Sequence, residues 1–123
     1  MKNTILIVDD QKGVRRLLEE LFKKESFNVH LASDGQEAIV KARELTPDII
    51  LMDMKMPNMN GLEAAQAILT NDKEQSIIMM TAYGEMDIVN QALDIGVKKC
   101  ITKPFDIMIL REMVKEMVLD KVC

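Results

Sequence analysis

The chain has 123 residues, enough for one domain, and its 48% hydrophobic and 29% charged content, without repeats or low-complexity stretches, excludes disorder and solenoid folds. A formal net charge of -4 and a pI of about 5.0 leave no overall positive field to gather nucleic acid or an anionic membrane. Asp9 and Asp10 break the only apolar run near the N-terminus, so neither a signal peptide nor a membrane span forms there, and a cytoplasmic protein is expected.

Short apolar runs alternate with stretches of helical periodicity. Residues 5–8, Ile-Leu-Ile-Val, read as a first strand, and residues 11–25 as an amphipathic helix with apolar side chains at 14, 17, 18, 21 and 22. Residues 27–31 form a second, shorter strand, carrying the lone His30, to which no role is assigned. Ser33 with Gln36 three places later predicts a capping box for a helix bearing Ala38, Ile39, Ala42 and Leu45 on one face, ended by Thr46-Pro47. A third strand spans 49–52, Asn60-Gly61-Leu62-Glu63 caps a third helix, and a fourth strand spans 77–80. A fourth helix runs from about 85 to 95 and is closed by Gly96. A more polar strand over 98–101 precedes a last helix with Leu110, Met113, Val114 and Met117 in register. Cys100 and Cys123 lack zinc-site spacing and are expected as incidental thiols, and the eleven methionines as core filling.

The apolar strands lack alternation, so both faces must be covered. Strand–helix alternation then implies an α/β fold, a five-stranded parallel sheet between helices. At this length the flavodoxin-like order 2-1-3-4-5 is expected, with ligands outside the carboxyl ends of the strands where strands 1 and 3 meet. Those ends carry Asp9-Asp10, Asp53, Thr81 and Lys103-Pro104. Carboxylates, a hydroxyl and an ammonium on one rim suit phosphoryl chemistry assisted by a hard cation. Unit charges about 4 Å apart repel by roughly 1 to 4 kcal/mol per pair, a load on three carboxylates that one lysine relieves only in part and a divalent ion relieves well. Oxygen-only ligands favour Mg²⁺.

Each group has a plainer explanation alone: Asp9-Asp10 as a helix cap, Asp53 as a turn residue, Thr81 as a cap, Lys103 as a solvated charge. Their coincidence on one rim makes the joint accident improbable.

Through ILIVDD, PDIILMDMKMPNMNG, MTAYGE and KPFD, in that order, the chain resembles the receiver domains of two-component response regulators over nearly its whole length. The resemblance implies that Asp53 is the phosphorylated residue. It also implies that Asp9, Asp10, Asp53 and the backbone carbonyl of Lys55 hold Mg²⁺, that Thr81 and Lys103 contact phosphoryl oxygens, and that the peptide bond before Pro104 is cis. Phosphorylation is expected to draw Thr81 inward and change the surface around the fourth helix and fifth strand. A large aromatic residue or histidine often stands three places before the lysine in this family. Cys100 stands there instead, and cannot reproduce an aromatic swing coupled to Thr81.

Within the family the likeness is strongest to the single-domain regulator of the sporulation phosphorelay, through DDQ followed by Gly13, MDMKMP, MTAYGE and KPFD. A relay phosphotransferase is therefore expected, a monomeric receiver over residues 1–123 without an output domain, with no small-molecule turnover. The implied partners are a sensor histidine kinase, a histidine phosphotransferase protein and a response-regulator phosphatase. Gln11, Val14, Leu17, Tyr83, Pro104 and Phe105 are the candidate docking residues, with Lys55 and Tyr83 placed to flank the phosphoryl group and hinder water. The alternative is a stand-alone binding module, or a receiver cut from a transcription factor, whose phosphorylated surface docks on a target. A magnesium-dependent phosphatase is disfavoured, because residue 55 is Lys rather than an acid.

Overall fold

The computed structural model describes residues 2–122, the side chains of 120–122 excepted; Cys123 lies outside them. Ten elements alternate along the chain: β1 (Thr4–Val8), α1 (Lys12–Lys24), β2 (Asn28–Ala32), α2 (Gly35–Leu45), β3 (Ile49–Asp53), α3 (Gly61–Asn71), β4 (Ile77–Ala82), α4 (Met86–Ile95), β5 (Lys99–Lys103) and α5 (Ile107–Val122). All strand pairings are parallel, and the sheet order is β2-β1-β3-β4-β5, as expected from the two-faced strands.

Alternate side chains of each strand enter two separate cores. Leu6, Val8, Ile50, Met52, Ile77 and Met79 pack with Ala38, Ala42, Ala64, Ala65, Ile68, Leu69 and Ala92, which places α2, α3 and α4 on one face. On the other, Ile5, Ile7, Ile49, Leu51, Ile78 and Met80 pack with Leu18 and Phe22 of α1 and Leu110, Val114, Met117 and Val118 of α5. Every residue of β3 is buried, while the edge strands β2 and β5 mix exposed with partly covered positions and bury only Ala32. Methionine serves the core unevenly: Met52, Met79 and Met80 are fully buried, but Met86 and Met108 are exposed.

Several boundaries move from their sequence-based positions. The cap of α2 is Asp34, whose carboxylate accepts from the Glu37 N–H at 2.8 Å, while Glu37 turns back to the Ser33 N–H at 2.7 Å. Two carboxylates, the stronger acceptors, displace the expected Ser33–Gln36 box by one residue. β2 begins at Asn28 because Phe27 leaves the ladder to pack edge-on against Phe22, ring centroids 5.5 Å apart. β5 runs on to Lys103, paired with Ala82, so its polar end hid from hydrophobic patterning. The Asn60–Glu63 capping box of α3 and the left-handed Gly96 closing α4 stand where expected.

Candidate functional site

The parallel register brings the carboxyl ends of the four central and edge strands to one rim. Val8 pairs with Met52 and Asp53 with Met80, so Asp9 follows one strand end beside Asp53, while Ala82 pairs with Lys103. Asp10, Gln11, Asp53, Met54, Lys55, Met80, Thr81, Ala82 and Lys103 line a cleft of about 360 Å³ at this rim.

Asp9 and Asp53 are buried and Asp10 is exposed; one carboxylate oxygen from each lies within 4.8 Å of the others. Lys103 reaches both buried carboxylates, donating to Asp9 Oδ2 at 2.7 Å and standing 3.3 Å from Asp53 Oδ1. Asp9 is held by its own neighbours: its Oδ1 accepts from the Gln11 N–H at 2.9 Å, and its carbonyl accepts from Arg15 Nη1 at 2.7 Å. Asp53 Oδ1 also faces the Lys55 N–H at 3.4 Å. The Lys103–Pro104 peptide bond is cis.

These contacts leave the site short of positive charge. Burial, and then the neighbouring Asp9, push the Asp53 carboxyl from 3.8 up to about 6, although Lys103 and the Lys55 N–H pull the other way. Lys103 shows the reverse: burial works to lower its pKa, but the Asp9 hydrogen bond and the charges of Asp53 and Asp9 raise it overall. Three carboxylates against one ammonium make an oxygen-rich, net-negative cluster. Its donors suit a hard divalent cation.

Thr81 is buried, and its hydroxyl donates to the Ile101 carbonyl at 3.4 Å, turned toward β5. Tyr83 does not line the cleft; it is 91% exposed. Of the other candidate docking residues, Gln11 lines the cleft, Pro104 and Leu17 are exposed, and Val14 and Phe105 are half-buried against the core between α1 and α5. Cys100 is a free thiol, half-buried against the opposite core, and burial pushes its pKa up. His30 is exposed on β2, away from the rim.

Sequence reasoning passed over three residues that shape the cleft. Gly61 opens α3 directly against the end of β3: a Cβ there would stand 2.2 Å from the Asp53 carbonyl oxygen, and the Gly61 N–H donates to Met54 at 2.7 Å. Only glycine permits this approach. Arg15 braces the Asp9 carbonyl, and Glu85 Oε1 accepts from the Ala82 N–H at 2.8 Å, tying down the loop after Thr81. A glycine inside a capping box signals the first; the other two bonds depend on loop paths that periodicity does not describe.

Comparison with known proteins places these features in context. The sequence model of the response regulator receiver domain matches residues 5–115. Sporulation initiation phosphotransferase F of Bacillus subtilis is 40% identical over 116 residues, covering 94% of each chain. Chemotaxis protein CheY of Thermotoga maritima is 40% identical over 106 residues, covering 85% of this chain and 88% of that one. Among solved structures, a CheY-like receiver domain protein of Methanospirillum hungatei superposes with a TM-score of 0.93 at 26% identity, covering 98% and 96% of the two chains. A chain of the CheX-CheY complex with BeF3 and Mg²⁺ from Borrelia burgdorferi gives 0.84 at 33% identity, covering 98% and 90%. Among the described residues no helix is long and apolar enough to cross a membrane. With the sheet order, the acidic cluster and the reaching lysine all in place, the chain belongs to the response regulator receiver domains.

Proposed function

We propose that this receiver is a phosphorelay intermediate, in which Asp53 takes a phosphoryl group from the phosphohistidine of a sensor kinase and passes it to the histidine of a phosphotransferase protein, in sporulation-type signalling. The observation that carries the reading is the Asp53 carboxylate, buried yet lining an open cleft, with the Lys103 ammonium 3.3 Å away.

An Asp53 oxygen attacks phosphorus as the P–N bond breaks, and the bonding pair leaves on the imidazole nitrogen. A carboxyl raised to about 6 is still ionised at neutral pH, and its extra basicity favours attack. Lys103 neutralises charge on the transferring oxygens, and Asp9 holds its ammonium at 2.7 Å. Thr81 gives up its bond to Ile101 to meet a phosphoryl oxygen, drawing the Ala82–Glu85 loop inward and changing the surface near α4 and β5. Asp9, Asp10, Asp53 and the Lys55 carbonyl would hold Mg²⁺, which supplies further neutralisation of the phosphoryl oxygens.

The 40% identity to the sporulation phosphotransferase, over 94% of each chain, supports the relay reading. Equal identity to a chemotaxis protein supports the second reading, a phosphorylated module that docks on a target. Labelling with acetyl phosphate, then adding histidine phosphotransferase proteins from the same organism, separates them. Phosphate should move rapidly and reversibly to a histidine, and Asp53→Asn should take no label. Failure of every histidine protein to accept phosphate from the labelled chain decides for the docking module.

A further inference from the structure

The carboxyl end of β4 carries a backbone donor that the sheet does not use. In a parallel strand a residue's N–H and carbonyl point to the same neighbour, and successive residues alternate sides. The Met80 carbonyl accepts from the Met54 N–H at 2.9 Å, so Met80 faces β3 and, two places on, Ala82 faces that side as well. The ladder would next join the Ala82 N–H to the Met54 carbonyl, but the Gly61 N–H occupies that carbonyl at 2.7 Å. The Ala82 N–H is thereby left at the rim, in the cleft that Ala82 lines together with Asp53 and Thr81. Glu85 Oε1 accepts from it at 2.8 Å, and the Glu85 N–H closes the ring by donating to the Ala82 carbonyl at 3.4 Å. Glu85 stands at the N-cap of α4, yet its side chain, turned back on Ala82, makes no cap hydrogen bond to that helix. Gly84, at a φ of 88° and with nothing within 4 Å of where a Cβ would stand, gives the turn room to reorganise.

We infer that Glu85 is a positioning residue that competes with the phosphoryl group for the Ala82 N–H: its carboxylate holds that donor in the resting chain and must release it before an oxygen of phosphorylated Asp53 can take its place. The inference rests on the reading of Asp53 as the phosphorylated residue, and not on the relay. One N–H serves one strong acceptor, and a phosphoryl group carrying about two negative charges repels the Glu85 carboxylate as it arrives. Both acceptors are anions and both bonds are charge-assisted, so the exchange is close to balanced and the turn can stand in either arrangement. Glu85 thus sets the threshold of the switch: the firmer its hold on Ala82, the weaker the response to a phosphoryl group.

The test titrates the native chain, Glu85→Ala and Glu85→Gln with beryllofluoride, a stand-in for the phosphoryl group, at saturating Mg²⁺, and labels the native chain with acetyl phosphate. Glu85→Ala frees the Ala82 N–H and should bind beryllofluoride about tenfold more tightly, the scale set by removing one charge-assisted competitor. Its unliganded thermal midpoint should fall by a few degrees, because the resting turn loses that bond. A merely structural brace would move affinity and midpoint downward together, whereas a competitor moves them in opposite directions. Glu85→Gln keeps an acceptor but no charge, so its affinity should lie between the other two. Equal or weaker binding by Glu85→Ala overturns the inference, as does equal affinity of the two variants, which assigns the effect to charge rather than to the hydrogen bond; in either case labelling of the native chain at Asp53 leaves the phosphorylation reading intact. A native chain that takes no label at Asp53 overturns that reading and the inference together.

Discussion

Replacing Asp53 with asparagine should abolish phosphorylation and, in the metal-free protein, strengthen the fold. The carboxyl is raised from 3.8 to about 6, first by burial and then by Asp9, so at neutral pH the folded state holds a charge it disfavours. At about 1.4 kcal/mol per pH unit the cost is about 3 kcal/mol. That figure already includes the favourable pull of Lys103, and an amide of the same shape resembles the neutral carboxyl. Imperfect hydrogen bonding of the amide should reduce the gain to about 1–3 kcal/mol, or several degrees in the thermal midpoint of a domain this size. The sign follows from the folded pKa lying above the unfolded value: the cost is full above about pH 6, shrinks as the pH falls through 6, and vanishes below 3.8. Urea unfolding followed by circular dichroism in chelator, at pH 8, 6 and 4.5, measures the difference. Asp53→Asn should lead by most at pH 8 and by little at 4.5. An equal midpoint at pH 8, or a lead that does not shrink in acid, refutes the electrostatic account of the cluster.

Added Mg²⁺ should reverse that order, stabilising the native chain by about 2.7 kcal/mol at a concentration one hundred times its dissociation constant. Asp10→Ala should remove most of the effect, and unchanged Mg²⁺ affinity in that variant speaks against the cluster as its site. Lys103→Met should destabilise the metal-free protein by about 1–3 kcal/mol, because Asp9 and Asp53 lose their shared cation. Since the folded pKa of Lys103 is raised above 10.5, its stabilisation is full below pH 10.5 and is lost as pH rises through the folded value, so the loss should be measurable at neutral pH by urea unfolding. Gly61→Ala should cost about 3 kcal/mol or lower the yield of folded protein, since a methyl 2.2 Å from a backbone oxygen requires α3 to move; a normal unfolding midpoint contradicts the close approach. Val14→Ala or Leu17→Ala should slow transfer to a histidine protein more than labelling by acetyl phosphate, and equal loss in both assays assigns those side chains to packing alone.

The sheet order, the alternation of elements and the convergence of Asp9, Asp10, Asp53, Thr81 and Lys103 were legible before any coordinates. Hydrophobic periodicity is a local property, and in a parallel sheet it also dictates which strand ends share a rim. The short apolar runs of β1, β3 and β4 announced strands covered on both faces, and residues just after such runs had to lie at the carboxyl edge. Tertiary structure decided what depends on distances between remote segments. Lys103 lies nearer Asp9 than Asp53, at 2.7 against 3.3 Å, because its side chain reaches from the end of β5 across the rim to the residue just past β1, and no spacing in the chain encodes that reach. Asp53 is raised to about 6 because packing withdraws its water, and burial belongs to the assembled molecule rather than to any window of sequence. Val14 and Leu17 share one apolar pattern, yet α1 is rotated so that the first leans into the core and the second meets solvent. A helix's period names its apolar face, but only the neighbours packed against it determine how much of that face is covered.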